Sequence, residues 1–554
     1  MKMRVRSLLA VALVVAVVVG FQIPAALAQR NRDIVVVGMA QEPDGLMMAF
    51  HSMAAGAAVN NSLLKGMVEY NDKWQLYPIT VEKVPTLKDG DWELLPGGKM
   101  KVTWKFRKNF TWHDGKQYTA LDASWTNLML RNPRSPTVSR TVIRKIDNML
   151  VPNSNDPFTL VVQWNERYPF ANIGHTVYPR HVLEKDYLRD PGQLKANKQN
   201  RFPIGNGPYK MAEWVAGSHM TLEAYDKYPL GVAKIKRQTW RFILDSTVLQ
   251  ANAIAGQVDV TEINNITDCG ALEQIERRNS NVQGHYTPAL IWEHVDLNLD
   301  NEWLRDKRVR QAIAHALDRA AIAEIACSGG RQPVAHAWLP ERHEGYNKDV
   351  KKYTFDLARA RALLAEAGFT MGPDGFLRDR AGKRFEMTIM TTAGNALREQ
   401  VQQIMKDQLK AVGLDLRIDN RPAGVLFGQT TARRQFPHMV MYAWLMTPAS
   451  LGNTLWKSDQ IPTAANNWEG QNYPGFRHEE NDRLLSQIET EIDTAKRVAM
   501  LKRQQEIWAE ELPSIPLYFR LHLTTSPKAV RGVSPAGLAG TYINWNSSEW
   551  VWSQ

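Results

Sequence analysis

Apolar positions along the chain follow two periods, one of two residues and one of three to four, and their alternation predicts a mixed α/β protein. Ile34, Val35, Val36 and Val37 form an apolar run within Asp33 to Gly38, and Pro43, Asp44 and Gly45 follow with turn chemistry, which predicts a buried strand. Asp356 is placed to cap a helix whose inner face is Leu357, Ala360, Leu363, Leu364 and Ala367, with Gly368 ending it. Phe385, Met387 and Ile389 alternate as a strand. Val401, Ile404, Met405 and Leu409 keep helical spacing over Ala396 to Val412, and Leu414, Leu416 and Ile418 alternate again after Gly413. That order is a βαβ unit, which calls for parallel strands in this part of the chain. Helical spacing also covers Asp306 to Ala326, Asn481 to Ile492 and Thr494 to Glu511, with Pro513 closing the last.

At the amino terminus, Lys2, Arg4 and Arg6 precede an apolar run from Leu8 to Phe21, and Ala26, Leu27 and Ala28 complete a small-x-small end. This predicts a signal peptide over 1–28, cleavage after Ala28 and a mature chain free in a periplasm. The run falls short of the ~20 apolar residues that span a bilayer. A 44% apolar and 23% charged composition over 554 residues is that of a globular protein, long enough for two or three lobes. The formal charge of +11 includes the three basic residues of the leader, and elsewhere bases are interleaved with acids. Nucleic-acid binding, which needs clustered Lys and Arg, is therefore not expected.

Chemistry is sparse. Two cysteines exclude a disulfide framework or a thiolate zinc site. HExxH, GxSxG and Walker patterns are absent, and His478 followed by Glu479 and Glu480 lacks a second histidine at metalloprotease spacing. His113, Asp114 and Gly115 read as a tight turn before a helix opened by Asp122 and Ala123. Gly205, Gly207 and Pro208 read as a loop entering a strand at Tyr209, since the third glycine of a dinucleotide site is missing. Neither an enzyme site, a metal site nor a cofactor is expected; the rival reading is an exported hydrolase with a carboxylate pair invisible in sequence.

Ordered blocks then carry a resemblance. These are WKFRKNFTWHDGKQYTALDASW from Trp104 to Trp125, GNGPYKMAEWVAGSHMTLEAYDKY from Gly205 to Tyr228, AIAGQVDV from Ala253 to Val260, LNLDNEWLRDKRVRQAIAHALDR from Leu297 to Arg319, NYPGFRHEENDRLL from Asn472 to Leu485 and ELPSIPLYF from Glu511 to Phe519. Together they resemble the family 5 extracellular solute-binding proteins of ABC importers, the dipeptide, oligopeptide and nickel class. The resemblance implies a periplasmic binding protein-like α/β fold of two lobes joined by two hinge segments, with an additional domain. Lobe I is expected over 29–55, 178–288 and 518–554, the additional domain over 56–177 and lobe II over 289–517. It further implies capture of a peptide-like or other small organic solute between the lobes, delivery to permease subunits in the inner membrane, and a monomer. A metal-chelate binder is the rival within the class. Cys269 and Cys327 fall in segments of different lobes, so two free, buried thiols are expected.

Peptide-binding members carry an aspartate for the ligand ammonium after a strand matching Val440 to Trp444, in a pattern like aDYxxP. Here Trp444 occupies that place and no acid lies between His438 and Lys457. The arginine of the dipeptide class, expected near the end of the strand Phe385 to Thr392, is replaced by Thr391 and Thr392. A cleft without these partners disfavours free zwitterionic dipeptides, because a mispaired buried ion costs several kcal/mol. The ligand-lining residues expected instead are Tyr442, Trp444, Trp468, Asn466 and Asn467, with Thr392, and Arg140 where nickel-type relatives present an arginine.

Overall fold

A computed structural model describes residues 31–51, 53–262, 269–422, 425–466, 468, 470–538 and 542–553. The leader, with its cleavage point, and Asn467 therefore lie outside the described residues. Ten strands form one sheet in the order Asp415–Ile418, Glu386–Met390, Met439–Leu445, Val282–Leu297, Ser514–Pro527, Val260–Glu262, Ile34–Met39, Arg237–Phe242, His219–Ala224 and Tyr209–Val215. The two central strands are the longest, with 16 and 14 residues, and they alone carry the sheet from one half of the molecule to the other.

On one side of this pair, Glu386–Met390 runs parallel to both Asp415–Ile418 and Met439–Leu445. On the other side, Ile34–Met39 runs parallel to both Arg237–Phe242 and Val260–Glu262. The βαβ expectation is met by the strand Glu386–Met390, the helix Ala396–Lys410 capped by Asn395, and Asp415–Ile418. Each half packs its own core. Val295, Ile313, Leu364, Phe385, Met405 and Ile515 belong to one, and Val35, Val37, Leu63, Tyr209, Trp240 and Ile543 to the other. A separate four-stranded sheet, in the order Trp92–Leu94, Met100–Lys105, Thr159–Trp164 and Ile146–Leu150, is packed around Val102, Trp104, Trp112 and Trp164.

Two loops show why their residues are fixed. Thr119 and Asp122 form a reciprocal capping box opening the helix Ala120–Arg131, and Gly115 holds φ +84° in the preceding turn. At Gly205 and Gly207 the chain presses on the carbonyls of Leu63 and Ser62, where an added Cβ would lie 1.9 and 2.6 Å from them. These glycines serve close packing before the strand Tyr209–Val215, and His478 caps the helix Glu479–Ile488 by accepting from the Asn481 amide.

Three expectations are corrected. The block 306–326 is two helices, Lys307–Ala316 and Arg319–Ala326, because Leu317 turns extended and Asp318 starts a new helix by accepting from the Ala321 amide. The helix expected to Ile492 ends at Ile488. Most consequentially, Cys269 and Cys327 are not free thiols: they form a disulfide with Cα atoms 4.9 Å apart. Cys269 opens the helix Cys269–Arg278, whose Leu272 and Ile275 belong to a small core with Val282, and Cys327 follows a helix of the other half. The two helices pack on the same crossing strand, Ser514–Pro527, so residues of separate halves become neighbours. Arg331 reinforces the seam, 2.7 Å from Glu273 and stacked over the Tyr286 ring.

Candidate functional site at the waist of the sheet

The carboxyl ends of both sets of parallel strands point at one level of the crossing pair. Leu445 ends its strand opposite Ile291, and Thr261, next to the end of Val260–Glu262, lies opposite Thr525. At this waist the crossing strands lose register between the pairs Pro288 with Leu521 and Trp292 with Phe519. Three residues then oppose Arg520 alone, a bulge that bends a sheet locally. Crevices outside strand carboxyl ends, where the chain changes direction of winding, are where open α/β sheets hold ligands.

One side chain cluster at the waist is charged. Glu293 is fully buried and receives Arg398 Nε at 2.6 Å, Arg520 Nε at 2.8 Å and Arg520 Nη2 at 2.5 Å. Arg398 sits in the first turn of the helix Ala396–Lys410 and also donates to Thr392 Oγ1 at 3.1 Å. Burial works against the Glu293 carboxylate, but Arg520 and then Arg398 outweigh it and hold its pKa below the ordinary range. Two strand positions beyond Arg520, His522 Nε2 lies 3.1 Å from Glu262 Oε1. Burial opposes the charged ring, yet Glu262 more than compensates and raises its pKa.

The second cluster is aromatic and lies on the other face of the same strands. Tyr442 is buried, donates to Asp296 at 2.5 Å and meets the His294 ring edge-on at 4.5 Å. Burial, then Asp296, push the phenol well above its usual pKa, so it remains a donor. Trp444 is half-buried, stacks on Tyr473 at 5.9 Å and touches Tyr442 edge-on. Leu445 and Phe427 expose apolar surface beside it, and Leu244 and Val248 do so beyond the end of Arg237–Phe242 in the other half. The strand Met439–Leu445 pairs with Glu386–Met390 only at Met439 and Val440. From Met441 onward, among the described residues, no strand pairs with that edge.

The expected site residues divide accordingly. Tyr442, Trp444 and Thr392 all reach the waist, the first two on the aromatic face and Thr392 against Arg398. Asn466 is turned onto its own loop, accepting from the Thr463 amide and donating to the Ile461 carbonyl, while Trp468 sits in the same loop with φ +63° and its amide on Thr463 O. The Arg140 guanidinium donates to the carbonyls of Leu130, Asn132 and Ser135. It thereby closes the carboxyl end of the helix Ala120–Arg131, where orphan carbonyls need donors.

Arg398, Arg520, Glu293, His522 and Tyr473 were missed. The signal was available at Arg520 and His522, two polar residues at alternate positions of the otherwise apolar stretch FRLHL. Among the described residues, no three His, Cys, Asp or Glu side chains gather to hold a metal ion, and no helix is long and apolar enough to cross a membrane.

Two lobes crossed by a shared pair of strands, with charged and aromatic groups at the crossing, are the architecture of a solute-binding protein. The family model of bacterial extracellular solute-binding proteins, family 5 (middle), matches residues 84–461, and the chain belongs to that family. It is 27% identical over 522 residues to the oligopeptide-binding protein AppA of Bacillus subtilis (strain 168), covering 91% of this chain and 89% of that protein. It is 23% identical over 480 residues to the glutathione-binding protein GsiB of Shigella flexneri serotype 5b (strain 8401), covering 86% and 87%. Among solved structures, the oligopeptide-binding protein of Thermus thermophilus complexed with a pentapeptide superposes with a TM-score of 0.75 at 29% identity, covering 94% of this chain and 96% of that one.

Proposed function

We propose that this protein is the exported receptor of an ABC importer, capturing a peptide-like solute at the waist without chemical conversion and passing it to membrane permease subunits. The observation that carries the reading is the edge of Met439–Leu445 that, among the described residues, no strand pairs beyond Val440, running into the waist between Trp444 and the arginine cluster. An extended solute can add itself to such an edge through main-chain hydrogen bonds. The peptide-bound relative from Thermus thermophilus supports a peptide-like ligand, and the leader motif supports a periplasmic protein beginning at Gln29, which acts as a monomer. The bulge at the waist supports a division near 288/289 and 517/518, with lobe I over 29–55, 178–288 and 518–554, lobe II over 289–517, and the additional domain over 56–177.

Function then rests on differential affinity, since only a solute that binds the closed arrangement better shifts the lobes toward it. The lobe II segment around Arg342 already touches the additional domain: its guanidinium lies 4.1 Å over the Trp74 ring and donates to the Asp72 carbonyl at 2.5 Å. Titrating a library of short peptides while following tryptophan fluorescence and solute mass tests the reading. Saturable quenching with every peptide recovered intact is expected; hydrolysis or other turnover would overturn it.

A further inference from the structure

We infer that Arg520, backed by Arg398, is the docking point for an acidic group of the solute, so that the waist selects ligands bearing a carboxylate. This rests on the proposed reading of the waist as the capture site. The first ground is charge. Glu293 is one carboxylate shared by two guanidiniums, and among the described residues no second carboxylate acts on Arg520. The nearby ionic contacts lie within other pairs: His522 with Glu262, and Arg421 with Asp419 at 2.6 Å. Among the described residues the cluster thus sets two guanidiniums against one carboxylate.

Exposure is the second ground. Glu293 has 1% of its side chain exposed and Arg398 9%, but Arg520 has 32%. Its Nε and Nη2 are held by Glu293, while Nη1 has no protein acceptor among the described residues. A guanidinium offers five donors in a rigid fork that matches a carboxylate, so the outer side of Arg520 is presented already oriented. Its position is the third ground, since it stands alone opposite the bulge where the crossing strands lose register. The first turn of the helix Ala396–Lys410 reaches the same cluster through Arg398, and a helix amino terminus favours negative charge.

Arg398 has the narrower task of positioning. It holds Glu293 Oε1 at 2.6 Å, reaches Oε2 at 3.5 Å beside Arg520, and ties the cluster to Thr392. The arginine sought in sequence at the end of the strand before Thr392 is thus supplied from two other elements.

The test uses the mature full-length protein and calorimetry with Ala-Ala-Ala-Ala, its carboxy-terminal amide, and the amide of Ala-Ala-Ala-Glu. A charge-assisted, partly desolvated contact makes the free acid bind about ten- to a hundredfold more tightly than its amide. In Arg520→Gln the ratio of acid to amide affinity falls to about one, and Arg520→Lys keeps part of the preference. Recovery of affinity with the glutamyl amide assigns the carboxylate to a side chain; no recovery assigns it to the main-chain terminus. Equal binding of acid and amide by the parent protein, or a preference that survives in Arg520→Gln, overturns the inference alone. If no form binds, the peptide-like reading of the waist falls with it. Should Arg520→Gln fail to fold, Arg520→Lys decides: an acid preference undiminished from the parent's overturns the inference.

Discussion

The disulfide between Cys269 and Cys327 has a stability effect that can be worked from its position. It closes a loop with a sequence separation of 58 residues, which contains the crossing strand Val282–Leu297 and the helix Lys307–Ala316. Replacing both cysteines by serine frees that loop in the unfolded chain. The chain-entropy relation gives about 4 kcal/mol at 25 °C for a loop of this length. The native seam retains the Arg331 contacts to Glu273 and Tyr286, so the loss comes chiefly through the unfolded state. For a cooperative unit of about 250–500 residues this corresponds to a fall in melting temperature of ~4–8 °C. The assay is thermal and urea unfolding of the parent protein, the parent with reductant, and the Cys269→Ser/Cys327→Ser double variant. The reduced parent and the variant are expected to unfold together, below the oxidised parent. A double variant as stable as the oxidised parent, or alkylation of both thiols in the denatured, unreduced protein, would refute the reasoning.

Two further outcomes follow from the waist and from burial. Trp444→Ala removes the ring stacked on Tyr473 and should weaken solute binding by ~0.5–2 kcal/mol beyond the lost buried area; calorimetry showing unchanged affinity would remove Trp444 from the site. His343 is buried, accepts from the Gly345 amide at Nδ1 and lies with Nε2 3.1 Å from the Pro448 carbonyl, and burial lowers its pKa to about 4. Its unfolded value is ~6.5, so the unfolded chain takes up the proton first and stability is lost as pH falls from ~6.5 through 4, by about 3 kcal/mol. Urea midpoints measured across that window should fall less steeply in His343→Asn than in the parent; parallel slopes would contradict this.

Much of the scaffold was legible because local chemistry and tertiary demand agree there. Thr494–Glu511, the capped helix after Asp356 and the strand–helix–strand unit from Glu386 to Ile418 all carry period, cap and stop in adjacent residues. The break at Leu317 was illegible since apolar spacing continues across it, and only the cap by Asp318 decides. What escaped at the site depends on contacts between distant segments. Glu293 meets Arg398 and Arg520 across 105 and 227 residues, and no local pattern encodes such a meeting. Arg140 illustrates the converse, because a basic run gives no sign that carbonyls of a nearby helix end will claim the guanidinium. The cysteines were misread for the same reason as the arginines were missed: the waist brings separate lobes onto one strand.

Native mass spectrometry of freshly purified protein tests most directly whether the chain is a receptor that captures a solute and leaves it unchanged. One small molecule per chain is expected, held until denaturation and released at the mass it had before binding. Consumption of that molecule by the protein, or saturable binding that is indifferent to combined substitution of Trp444 and Arg520, would contradict the account.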